Sequence, residues 1–176
     1  MRIVIRLKKM RKRTLDMLVW LTVLLLCACS MQEGVEPQGK ELGVGDRMPA
    51  FEVELFIPDS LDWRRVGECN FRFSSSTSLR GKHIYLVFFN TECQDCQREL
   101  PKLQRLYETI RGDSARAFLA ISREEGREQI EAYWRQEGLT LPFSPQPNRS
   151  VYNLFATSGI PQYYEVDESG TIVVHE

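Results

Sequence analysis

Histidine is nearly missing from this chain of 176 residues: His83 and His175 are the only two. Cysteine is sparse as well, at five. A closed zinc site wants four ligands, so a metal centre would have to draw on nearly all of these residues at once. No internal repeat and no low-complexity tract is present, which excludes a solenoid or an array. There is no basic excess, the formal net charge being −1. The longest apolar run, Leu15 to Ala28, is interrupted by Asp16 and Thr22. It falls short of the about 20 apolar residues that a membrane-spanning helix needs. The length suits one domain with a sizeable core and hardly two.

Seven of the 23 basic residues but only one of the 24 acidic ones lie in the first 28 positions. A positive stretch ahead of a short apolar run is the pattern of a secretory signal. The run ends in Leu26-Cys27-Ala28-Cys29, which resembles a bacterial lipobox with Cys29 as the lipidated cysteine; an uncleaved anchor is the alternative. Both readings place the remainder outside the cytoplasm, in the cell envelope and facing the periplasm. Ser30 does not resemble an inner-membrane retention signal, which points to the outer membrane. Without residues 1–28 the chain carries 16 basic against 23 acidic residues. That acidity argues against a nucleic-acid partner, which would want a basic stripe.

The polar, Gly-containing segment 29–45 reads as a tether, and 46–176 as the folded domain. "FEVELF" (51–56) alternates like a half-buried strand, and "NFRF" (70–73) suits a second short one. "IYLVFF" (84–89) and "AFLAI" (117–121) suit strands buried on both faces. Leu100, Leu103, Leu106, Tyr107 and Ile110 predict a helix starting at the cysteines, kinked by Pro101 and closed by Gly112. Ser122 and Glu125 read as a capping box for a second helix carrying Ile130, Tyr133 and Trp134 and ending at Gly138. Asn148 reads as the N-cap of a short helix, and "QYYEV" (162–166) with "TIVVH" (171–175) as a hairpin. Strand–helix–strand–helix with a terminal hairpin predicts an α/β fold with a mixed sheet.

Three cysteines remain for the domain, Cys69, Cys93 and Cys96, too few for a disulfide scaffold. Cys93 and Cys96, in "NTECQDCQRELP", are spaced so that one helical turn holds both sulfurs within bonding range. At a helix N-terminus Cys93 would be the exposed nucleophile and Cys96 the buried resolving thiol. A structural disulfide or half of a metal site remain open alternatives on spacing alone. Cys69 reads as a half-buried small residue, and both histidines as solvated ones.

Ile160-Pro161 lies 68 residues after Cys93 and just before the hairpin. With "GDRMPAFEVEL", "LRGKHIYLVFFNTECQDCQRELP" and "SGIPQYYEVDESGTIVV" in this order, the chain resembles the thioredoxin-like thiol–disulfide oxidoreductases of the ResA/TlpA type, over residues 43–176. The resemblance implies a thioredoxin-like fold with a central mixed sheet flanked by helices and an N-terminal β-hairpin extension. The usual final helix has no counterpart in this sequence. It implies Cys93 as attacking thiol, Cys96 as resolving thiol, Glu99 as proton relay and a cis Ile160-Pro161 as substrate clamp. It also implies no cofactor beyond the Cys93–Cys96 disulfide itself and no bound metal. Envelope proteins with disulfides or thiols, a membrane electron donor and the lipid membrane are the implied partners. A copper-binding or metal-transfer module and a non-catalytic binding lipoprotein are the rival readings. Glu92 stands where such proteins have Trp, and Gln94-Asp95 replaces the usual Pro or Gly between the thiols. These carboxylates oppose thiolate formation at Cys93, so a reducing pair is expected rather than a strong oxidant.

Overall fold

The computed structural model describes residues 40–58, 70–74 and 78–176. The expected signal at 1–28, Cys29, most of the expected tether and Cys69 lie outside those residues. A seven-stranded mixed sheet organises the rest, in the order β2 (Asn70–Ser74), β1 (Glu52–Phe56), β5 (Phe143–Ser144), β4 (Arg116–Ser122), β3 (His83–Phe89), β6 (Gln162–Val166) and β7 (Ile172–His175).

Strand β3 (His83–Phe89) is central because its sequence has apolar side chains for both faces. It pairs in parallel with β4 (Arg116–Ser122), Leu86 opposite Leu119. On its other side it pairs antiparallel with β6 (Gln162–Val166), Leu86 opposite Tyr164. Ile84, Leu86 and Phe88 point into one core with Leu119, Ile121, Tyr152, Phe155 and Tyr164. Tyr85, Val87 and Phe89 point into the other, with Leu100, Ile130, Trp134 and Phe143. Fully burying each such side chain contributes about 1.5–3 kcal/mol, which fixes the register of β3 against any one-residue slip.

Helices α1 (Gln94–Ile110) and α2 (Arg127–Glu137) cover the second core. Pro101 lies within α1, as the sequence predicts, and α2 ends at Gly138 in the left-handed conformation (φ 66°) that favours glycine. The N-terminal hairpin of β1 (Glu52–Phe56) and β2 (Asn70–Ser74) is present. It is joined to the main sheet through Phe56 opposite Phe143 of β5 (Phe143–Ser144). The terminal hairpin of β6 and β7 (Ile172–His175) turns on Asp167, whose Oδ1 accepts the N–H groups of Ser169 and Thr171.

Several local expectations are corrected. Ser122 and Glu125 do not cap α2. Its N-cap is Gly126, the Ser122 hydroxyl donates to the Glu125 carbonyl, and the Glu125 carboxylate turns the other way. Asn148 caps no helix: its Oδ1 accepts the Ser150 N–H, and the next element is a single 3-10 turn, Tyr152–Leu154. Helix α1 closes at Arg111, one residue before Gly112. The last part of the tether is held against the domain, with the Leu42 N–H on the Phe155 carbonyl (2.7 Å) and the Gly45 N–H on that of Ile172 (2.8 Å). Neither histidine is simply solvated. His83 pairs with Glu165 at 3.2 Å, while His175 stacks on Tyr164 at 4.5 Å and bonds Gln162.

Candidate active site

Where β3 runs out at Phe89, the chain turns through Asn90-Thr91-Glu92 and enters α1 at Cys93. The turn is held by its own polar groups: the Asn90 side chain accepts the Glu92 N–H (2.9 Å) and its carbonyl the Cys93 N–H (3.1 Å). Cys93 is the N-cap, with extended backbone (φ −79°, ψ 117°) and no side-chain cap bond. The first-turn N–H groups are therefore left without a side-chain acceptor, at the helix end where negative charge is favoured.

The two thiols are free and differently placed. Cys93 is half-buried, whereas Cys96 is fully buried in the core beneath α1. Burial pushes the Cys96 thiol up to about 12; the neighbouring Cys93 adds to this, while an Asn90 backbone hydrogen bond and the Arg123 charge oppose it. Opposite them, Ile160-Pro161 is a cis peptide at the start of β6. The Cys93 thiol donates to the Ile160 carbonyl across 3.6 Å. The fold thus brings together four of the residues singled out from the sequence: Cys93, Cys96, Ile160 and Pro161.

Glu99 stands one turn beyond Cys96 on α1, partly exposed, and its carboxylate accepts from Lys102 at 2.7 Å. Asp95, in the first turn, pairs with Arg98. A second acid lies closer to the turn. Glu125, 6 % exposed, accepts the Thr91 N–H (2.9 Å) and the Thr91 hydroxyl. Burial holds its carboxyl above the usual carboxylate range; the two Thr91 bonds oppose that shift and Glu92 adds to it. The bonds from Thr91 tie the loop after β4 to the thiol turn. So do the Arg123 N–H on the Phe89 carbonyl (2.7 Å) and the Asn90 side chain on the Arg123 carbonyl (3.3 Å). Sequence reasoning missed this second loop, because a Ser-x-x-Glu ahead of a helix has the spacing of a cap.

A half-buried nucleophile with a buried partner one turn away, facing a backbone carbonyl, can exchange disulfides. Among the described residues no three His, Cys, Asp or Glu cluster as metal ligands. His83 begins β3 at the end of the strand opposite Cys93.

The chain is similar to known proteins over the same features. It is 28% identical over 96 residues to the thiol-disulfide oxidoreductase ResA of Geobacillus thermodenitrificans, covering 54% of this chain and 55% of that one. The chain thus spans about half the length of that relative. With ResA of Bacillus subtilis it shares 20% identity over 93% of its own length and 84% of the relative's. The thioredoxin domain of a thiol-disulfide oxidoreductase from Bacteroides vulgatus superimposes with a TM-score of 0.61 at 19% identity, over 77% of this chain and 89% of that one, a likeness of fold. The AhpC/TSA family model matches residues 44–175, taking in the sheet, the thiol helix and the cis-proline loop. The fold is thioredoxin-like, and the chain belongs to the AhpC/TSA family.

Proposed function

We propose that the chain is a thiol–disulfide oxidoreductase that reduces disulfides in envelope proteins, acting from a lipid anchor at Cys29. The observation that carries this is Cys93 at the uncapped start of α1, bonded through its thiol to the carbonyl before cis-Pro161, with Cys96 buried one turn behind. The ResA-named relatives support the same reading.

In the proposed cycle the Cys93 thiolate attacks a substrate disulfide. A Cys93–substrate bond forms, and one substrate sulfur leaves and takes a proton. Cys96 then gives up its proton and attacks the Cys93 sulfur, releasing the second substrate thiolate, which is protonated in turn. The Cys93–Cys96 bond is formed, and two electrons have passed to the substrate. A dithiol donor at the membrane returns the pair to its reduced state. With its thiol pushed up to about 12, Cys96 needs a base to deliver its thiolate at neutral pH. Glu99, one turn on, is the relay that the family pattern offers. Ile160 and Pro161 clamp an extended substrate segment against Cys93. The disulfide itself is the only redox group the cycle requires.

The test is thiol trapping of the purified chain equilibrated with glutathione or dithiothreitol mixtures. A reversible two-electron couple near that of thioredoxin, about −270 mV, is expected. Cys96→Ala should then accumulate mixed disulfides with its substrates. A pair that cannot be reduced, or thiols protected only by added copper or zinc, would sink the reading.

A further inference from the structure

Next to the thiol turn, two arginines that form no ion pair among the described residues meet on one tyrosine ring. Arg123 follows β4 directly, and its backbone is bonded to both Phe89 and Asn90 of the thiol turn. Its guanidinium carbon sits 5.3 Å from the centroid of the Tyr152 ring, and that of Arg149 sits 5.1 Å from the same centroid. Tyr152 is itself buried, packed edge-on against Phe88 of β3, and its hydroxyl donates to the Gly159 carbonyl at 2.7 Å. One tyrosine thus connects both arginines to the loop that carries cis-Pro161.

Neither arginine makes an ion pair among the described residues. Among the described residues Arg149 gives one side-chain hydrogen bond, to the Thr157 carbonyl (3.2 Å), and the Arg123 guanidinium gives none. The Arg123 Nε is sealed from solvent with no partner, the one such side-chain atom found among the described residues. A buried donor left unsatisfied costs about 1–3 kcal/mol, so it calls for an explanation. Acids are at hand but turned away. Glu125 is committed to Thr91, Glu124 is exposed on a left-handed backbone (φ 60°), and Glu41 accepts from the Thr157 hydroxyl (3.4 Å). Two like charges held on one ring, in a chain whose residues 29–176 carry an acidic excess, leave a cationic spot on the residue that anchors the loop before cis-Pro161.

We infer that Arg123 and Arg149 form a carboxylate subsite that selects polypeptide substrates with an acidic side chain close to the reacting cysteine. The inference rests on the oxidoreductase reading and adds a substrate class to it. Guanidinium groups suit this ligand because their planar fork matches both carboxylate oxygens, and stacking on an aromatic ring fixes the plane in advance. The placement suits a substrate strand clamped at Ile160-Pro161. Such a strand passes Gly159, whose carbonyl is held by the same Tyr152 that carries both cations. The same cation is felt at the thiols, since Arg123 is the one charge that eases Cys96 toward its thiolate.

The experiment compares two disulfide-linked peptides that differ only in having Glu or Gln beside the cysteine, using the full chain. The acidic peptide is expected to show a kcat/KM about tenfold higher, which corresponds to about 1.4 kcal/mol. That preference should shrink toward unity in 0.5 M salt and in Arg123→Met or Arg149→Met, and survive in part in Arg123→Lys. Equal rates for the two peptides with active enzyme would overturn the subsite while leaving the oxidoreductase reading intact. Failure to reduce either peptide, or a small aromatic disulfide, would overturn both. Glutathione disulfide against cystamine separates the sources of the carboxylate. A preference there, with none between the peptides, would overturn the polypeptide assignment in favour of a small thiol.

Discussion

Cys96 and Glu125 are both buried next to the thiol turn, and burial acts on each in the same sense, against the charged form. For Cys96 the consequence is a large difference in reactivity between two thiols one turn apart. At pH 8, iodoacetamide should modify Cys93 and leave Cys96 largely intact in the folded chain, with both modified in urea; peptide mass mapping reads the ratio. Equal labelling of the folded chain would contradict the burial. For Glu125 the consequence is a pH dependence of stability. A carboxyl whose folded value is raised binds protons more tightly folded than unfolded. Stability is therefore highest below the ordinary carboxylate value, falls as pH rises from there through the raised value, and stays reduced above it. In Glu125→Gln the amide still accepts the Thr91 N–H and can donate to the Thr91 hydroxyl, so the loop contact is kept. That variant should lose this part of the pH dependence, seen as a flatter urea-unfolding midpoint between pH 4 and 8. An unchanged slope would mean that other groups set it.

At the scale of elements, α1 is held to the segment before β5 by a buried polar residue as well as by its apolar face. Gln104 is 8 % exposed, and all its polar atoms are used. Its Oε1 accepts the N–H groups of Thr140 (2.8 Å) and Leu141 (3.1 Å), and its Nε2 donates to Thr140 and Glu108. Gln104→Ala would leave two backbone donors without a partner, one of them buried, at a cost of about 2–3 kcal/mol. Urea unfolding should show that loss, whereas Gln97→Ala, on the exposed side, should cost about 1 kcal/mol or less. Gln104 also marks what the sequence made legible. Every strand except the two-residue β5 and both helices could be placed because apolar spacing alternates in β1, runs unbroken in β3 and β4, and recurs at helical spacing in α1. The thiols and the cis-proline were legible because their spacing and order carry chemistry. Gln104, Glu125 and Arg123 were not, because each acts on a partner 29 to 37 positions away or on a ring from another element, and no local pattern encodes such a contact. The false capping box shows the same limit: Ser122 and Glu125 have the right spacing, but the Glu125 side chain gains more from Thr91 than it would from its own helix.

For the molecule as a whole, the redox state of the thiols and the stability of the fold are linked. Strong oxidants of this architecture stabilise a thiolate in the reduced form, which makes their disulfide a destabilising element. Here burial pushes the second thiol up to about 12 instead, so the fold gives Cys96 no such reward in the reduced form. The Cys93–Cys96 bond should then stabilise the fold through the constraint it places on the unfolded chain, about 2 kcal/mol for so small a loop. Through the cycle that joins folding and oxidation, this corresponds to a folded pair about 40 mV more reducing than the same pair unfolded. Urea titration of the oxidised and the fully reduced chain at pH 7 measures the difference directly. A higher midpoint for the oxidised chain agrees with a reductase. A higher midpoint for the reduced chain would mean that the fold favours the dithiol and drives oxidation of its partners, and the proposed direction of electron flow would have to be reversed.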